Sequence, residues 1–101
     1  MIGVNKSIDA LDVEKVIANY VNVDISEIWS KNIKSAPVKA RHFSIYFLHK
    51  KYGMSGGELC KRYGLTRHRI FDICSQLEGY IEVDSKYRQE ANEIEALLES
   101  I

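Results

Sequence analysis

The sequence predicts an all-α domain of about six helices, and three observations carry that expectation. Its 101 residues contain a single proline. No apolar–polar alternation of the strand type lasts more than a few residues, whereas apolar residues recur three and four apart along most of the chain. With 46% hydrophobic and 28% charged residues, the composition is that of a globular chain able to bury one modest core without disulfide or metal. The expectation is one domain over residues 1–101.

The elements follow in order. Ser7 or Asp9 is the N-cap of a first helix whose stripe is Val13, Val16, Ile17, Tyr20 and Val21, ending near Asn22. Asp24 with Glu27 forms an aspartate version of the capping box and opens a short second helix that turns Ile25, Ile28 and Trp29 inward. Residues 30–36 lack periodicity and read as a loop. Pro37 suits the first turn of a third helix, which carries Phe43, Tyr46, Phe47 and Leu48 to about Tyr52 and stops at Gly53. Ser55 and Glu58 form a capping box for a short fourth helix over residues 56–63, closed by Gly64 in the position that tolerates a left-handed backbone. Only Leu65 then precedes Thr66, the N-cap of a fifth helix with the stripe Ile70, Ile73, Cys74, Leu77 and Ile81. Asp84 or Ser85 caps the last helix, striped by Tyr87, Ala91, Ile94, Leu98 and Ile101.

Net charge is zero, but its distribution is uneven. Residues 1–30 carry two cations against five acids, residues 31–74 ten against two, and residues 75–101 two against seven. A basic middle between acidic ends marks either an anion-binding face or a solvated charge mosaic. The order of elements favours the first. From about residue 55 to 79 a short helix, a glycine turn and a polar N-capped helix make a helix-turn-helix, whose second helix enters the major groove N-terminus first. Burial of Ile70, Ile73, Cys74 and Leu77 leaves Arg67, His68, Arg69 and Asp72 outward. Arginine matches guanine O6 and N7 through two parallel hydrogen bonds, so Arg67 and Arg69 read as base or phosphate contacts. Three cationic-capable residues in a first helical turn oppose the helix dipole, a cost of a few tenths of a kcal/mol that anion binding would explain.

Thr66, Lys39, Arg41, Lys61 and Arg62 complete the candidate DNA-binding set, with His42, Lys31 and Lys34 near the same phosphates. Asp72 either accepts from cytosine N4 or orients a neighbouring cation. The Gly56–Gly57 pair either admits a phosphate to backbone amides or simply gives the chain freedom before a helix. No catalytic constellation or metal-ligand spacing stands out, so the expectation is neither enzyme nor cofactor protein. Cys60 and Cys74 read as two buried thiols in a reducing cytoplasm. No stretch fits a signal peptide or a membrane span of roughly 18 apolar residues.

Across residues 8–98 the chain resembles the C-terminal DNA-binding domain of the bacterial replication initiator DnaA, of the Trp-repressor-like helix-turn-helix group. The resemblance rests on Val16-Ile-Ala-Asn-Tyr20, Ile28-Trp-Ser-Lys31, Ala40-Arg-His42, Ser55-x-x-Glu58-Leu59 and Ile70-x-x-x-Cys74-x-x-Leu77-Glu78. It implies a recognition helix in the major groove and an arginine at the start of the long helix, here Arg41, reaching the minor groove. A lysine the family carries two turns later is His49 here. The family's Gly-Gly-Arg-Asp-His-Thr-Thr before the recognition helix is replaced by Tyr63-Gly-Leu-Thr-Arg-His-Arg69. This chain is therefore expected not to read the initiator's box. It also lacks a phosphate-binding Gly-x-x-x-x-Gly-Lys-Ser/Thr loop. The overall expectation is a free-standing domain that binds double-stranded DNA in a bacterial cytoplasm, associated with the nucleoid, with a homodimer or a larger replication or transcription assembly left open. The alternative is a protein-interaction or adaptor module without DNA binding.

Overall fold

A computed structural model describes residues 9–31 and 33–101 and contains six helices: α1 (Ala10–Val21), α2 (Ser26–Trp29), α3 (Ser35–Lys50), α4 (Gly56–Tyr63), α5 (Arg67–Val83) and α6 (Ser85–Glu99). No strand occurs among the described residues, and no helix there is long and apolar enough to cross a membrane. The local stop and start signals decide most boundaries. Asp9 accepts from the Leu11 amide at 3.3 Å, while Ser7, the other N-cap candidate, lies outside the described residues. Asn22 ends α1 with φ +68°, and Val23 donates back to the Ala18 carbonyl at 3.0 Å, a Schellman-type closure that asparagine tolerates. Ser55 and Glu58 form both halves of their capping box at 3.1 Å each. Gly64 adopts φ +66° and donates to Cys60, and Thr66 accepts from the Arg69 amide at 3.1 Å. Asp84, not Ser85, caps α6, through the Lys86 amide at 2.9 Å.

Helix α3 lies at the centre, packed by α1, α2, α4 and α5, which explains its burial on more than one side. Ala40, Phe43, Ile45, Phe47 and Leu48 are all buried, so Ile45 joins the expected apolar load while Tyr46 is only half-buried. One continuous core joins these to Val13 and Ile17 of α1, Ile28 of α2, Leu59 of α4, Ile70, Ile73 and Leu77 of α5, and Ile94 and Leu98 of α6. Tyr20 donates to Glu93, tying α1 to α6; burial and that carboxylate push its phenol up to about 12.

Several expectations need correction. Helix α3 begins at Ser35, so the loop is shorter than residues 30–36 and Pro37 is its third residue. The Asp24 box does not form. Asp24 accepts from Ser26 at 3.3 Å, and the Glu27 amide instead bonds the Asp24 carbonyl at 2.9 Å, a backbone turn that suffices for a four-residue helix. Trp29 is 38% exposed rather than turned inward, because it sits at the last position of that short helix with only its indole N–H reaching the interior. Ile101 lies beyond α6 and is exposed, and Cys60 is half-buried whereas Cys74 is buried.

Candidate functional site

The turn between α4 and α5 consists of Gly64, Leu65 and Thr66, and its two caps fix how α5 begins. Thr66, Arg67, His68 and Arg69 are all exposed there. The Arg67 side chain folds back across the start of α4: a methyl group at Gly57 would meet its Nη2 at 3.3 Å. His68 and Arg67 have no ion pair among the described residues, and neither does Lys61 on α4. Arg69 pairs with Asp72 one turn on, at 3.4 Å, and Gln76 also approaches that carboxylate. Of the two roles open to Asp72, this geometry matches the orienting one.

The glycine pair has a packing role. A Cβ on Gly56 would stand 3.0 Å from Phe71 Cζ and 3.6 Å from Arg67 Cγ, so the absent side chain makes room for the α5 aromatic.

Other cations of the basic middle are held internally. Arg62 makes a two-pronged contact with Glu14, 2.8 Å from Nε and 2.5 Å from Nη2, and its guanidinium lies 5.7 Å from the Trp29 ring. Glu14 is fully buried yet also accepts from the Trp29 indole at 3.1 Å and from the Tyr63 hydroxyl. A buried carboxylate with four donors is a satisfied one. Its hydrogen bonds, and then its charge, raise the Arg62 guanidinium, and burial, with Glu14, raises the Tyr63 phenol. Lys39 points to α6, 2.9 Å from Glu90 and 5.1 Å from the Tyr87 ring centre. Lys50 pairs with Glu78, and Lys51 with Glu95 and Glu99. Arg41 caps the end of α2, donating to the carbonyls of Ile28 at 2.8 Å and Ser30 at 2.6 Å. His42, held half-buried near Arg69 and Arg41, is pushed down to about 4 by burial first and those cations second.

The structure thus gathers the candidate residues into two neighbouring places and leaves one out. Thr66, Arg67, His68 and Arg69 form the exposed first turn of α5. Arg41, Lys61 and Arg62 share with Lys31 an open groove of about 520 Å³ beside Gly64 and Leu65. Lys39 faces α6 instead. Two residues escaped the sequence reading. Glu14 lies on the inner face of α1 between Val13 and Ile17, and an acid in that slot was the signal. Phe71, 46% exposed, is a large aromatic off the buried stripe of α5. Among the described residues, no group of three or more His, Cys, Asp or Glu side chains is arranged to hold a metal ion.

Fold and site together define an all-α domain whose fourth and fifth helices, joined by a three-residue turn, present an open cationic end. Within that class the chain is similar to the chromosomal replication initiator protein DnaA. The DnaA of Bacteroides thetaiotaomicron is 29% identical over 94 residues, 92% of this chain and 20% of that protein. The DnaA of Bacteroides fragilis is 27% identical over 94 residues, again 92% and 20%, and that of the Wolbachia of Brugia malayi 24% over 91 residues, 89% and 20%. The chain spans about one fifth of the length of the curated relatives it matches. No family model matches it. The resemblance read from the sequence is therefore shown.

Proposed function

We propose that this chain is a single DNA-binding domain that grips double-stranded DNA through the helix-turn-helix formed by α4 and α5. The observation that carries this is the set of unpaired cations at that end. Lys61, Arg67 and Lys31 have no acidic partner among the described residues, although acidic side chains engage five other cations of the same basic block. An initiator of chromosomal replication as relative supports the choice of anion. In this reading α5 enters the major groove with Arg67 and His68 at base edges, Thr66 and Arg69 at its mouth, and Lys61 and Lys31 on the backbone.

Arg62 positions α4 from behind through Glu14, and Lys39 holds α6. Both leave the set of direct contacts. Arg41 reaches the minor groove only by exchanging the carbonyls that cap α2 for base acceptors, so its engagement loosens α2. The replaced Asp-His-Thr gives the domain its own sequence preference rather than the initiator's box. The function is binding, without a catalytic step.

Fluorescence anisotropy with a mixed-sequence duplex tests it. Binding should weaken steeply as salt rises, by nearly one unit of log-log slope for each phosphate contact. Absence of binding at ~50 mM salt with micromolar protein would overturn the reading in favour of a protein-interaction module.

A further inference from the structure

Phe71 has no part in the core and none in the phosphate contacts. It is 46% exposed, off the buried stripe of Ile70, Ile73, Cys74 and Leu77, yet its ring is seated on both sides. Gly56 lies beneath it so closely that a Cβ there would be 3.0 Å from Cζ and 3.5 Å from Cε2. The His49 ring meets it edge-on at 5.7 Å, and His49 is itself anchored by Nδ1, which donates to the Met54 carbonyl at 2.9 Å. A large apolar side chain held in one place at the surface is preorganised for an apolar contact.

Its position says which one. Phe71 follows Arg67 by four residues and His68 by three, so the three side chains share one end of α5. A rise of 1.5 Å per residue puts Phe71 about 6 Å further along the helix than Arg67, roughly one to two base steps. Bases in an intact duplex offer the major groove only their edges, and the apolar group on those edges is the thymine 5-methyl.

We propose that Phe71 reads a thymine methyl in the major groove, at a fixed offset from the base contacted by Arg67. This inference rests on the DNA-binding reading above. It makes α5 a mixed reader: a polar contact from its first turn and a methyl pocket from its second, walled by Phe71 and backed by Gly56 and His49.

The test is methyl deletion. The preferred duplex is selected from a random pool, and each thymine is then replaced singly by deoxyuridine, which lacks only that methyl. The wild-type chain should lose about fourfold in affinity at one position, the worth of one buried carbon. F71A should bind the thymine and deoxyuridine duplexes equally. Should F71A fold poorly by thermal melt, G56A carries the test, since its Cβ displaces the ring by a few tenths of an ångström. It should lessen the methyl penalty. Insensitivity of the wild type to every replacement, or an undiminished penalty in F71A or in a folded G56A, would overturn the inference while DNA binding stood. Failure to bind any duplex would remove the DNA-binding reading and this one together.

Discussion

Lys39, Lys50, Lys51 and Arg62 each lie against an acid from the flanking acidic blocks, whereas Lys61, Arg67 and Lys31, around the turn between α4 and α5, have none among the described residues. The same residue types in the same basic stretch therefore do two different things. Against acids of α1, α5 and α6 they hold helices together across 28 to 51 residues of sequence, as in Lys50–Glu78 and Lys39–Glu90. At the turn they stand open. A block of positive charge in a sequence is thus a poor count of anion contacts until its internal partners are known. Most of the exposed pairs contribute little to stability, ~0–1 kcal/mol each. Their effect is to neutralise one side and leave the field concentrated at the other.

The largest expected effect is on the buried member of the paired side. Glu14→Ala leaves the Arg62 guanidinium, the Tyr63 hydroxyl and the Trp29 indole without their acceptor, and should cost ~3–5 kcal/mol in urea unfolding. A loss below ~1 kcal/mol would erase the contrast, because Arg62 would then be as available to a ligand as Lys61.

On the open side, Arg67→Ala should cost ~1–3 kcal/mol on the preferred duplex and much less on random DNA. Equal losses on both would make Arg67 a backbone anchor and move readout to His68 and Phe71. Stability should hardly change, since Arg67 makes no ion pair among the described residues.

His42 sits where the two regions meet, and its titration tests how strongly the open end is charged. In the native chain its pKa is pushed down to about 4, from 6.5, by burial and by Arg69 and Arg41. Between those values the unfolded chain binds a proton that the folded one refuses. Its contribution is therefore complete above about 6.5 and is lost as pH falls towards about 4. After allowance for solvent screening the loss should be ~1–2 kcal/mol. Urea midpoints at pH 7 and pH 4.5 for the wild type and His42→Gln check it: the variant should lose less on acidification. Parallel losses would mean that neither burial nor the neighbouring Arg69 and Arg41 disfavours the charged form of His42 on folding.

What was legible in the sequence is what is local. The Ser55–Glu58 box, Gly64, Thr66 and Asp84 set helix ends through bonds spanning two to five residues, and each is visible as a residue type at a fixed spacing. The apolar stripes of α5 and α6 were legible for the same reason. The short α2 was harder, since a four-residue helix has no period to read and Asp24 had a nearer donor in Ser26. The roles of Arg62, Lys39 and Arg41 were hidden because their partners are Glu14, Glu90 and the carbonyls of Ile28 and Ser30, 11 to 51 positions away. Spacing along one helix cannot say which acid another helix will bring. The exposed first turn of α5 was legible because burial of its own stripe dictates it. Phe71 was overlooked because hydrophobic pattern reading looks for apolar residues inside.

The smallest effect is the sharpest test of the comparison, because it sets two lysines of equal formal charge against each other. Lys61→Ala removes an open cation. It should weaken binding to every duplex alike and lower the slope of log affinity against log salt by ~1, one phosphate contact, with stability unchanged within ~0.5 kcal/mol. Lys39→Ala removes a cation already matched by Glu90, so the salt slope should stay at the wild-type value while the melting temperature falls slightly. Long-range Coulomb effects are screened over roughly 10 Å at 0.1 M, so direct contact should separate their slopes. If Lys39→Ala lowers the slope as much as Lys61→Ala, the ion pair with Glu90 opens on binding and the division of the basic middle into holding and gripping cations fails.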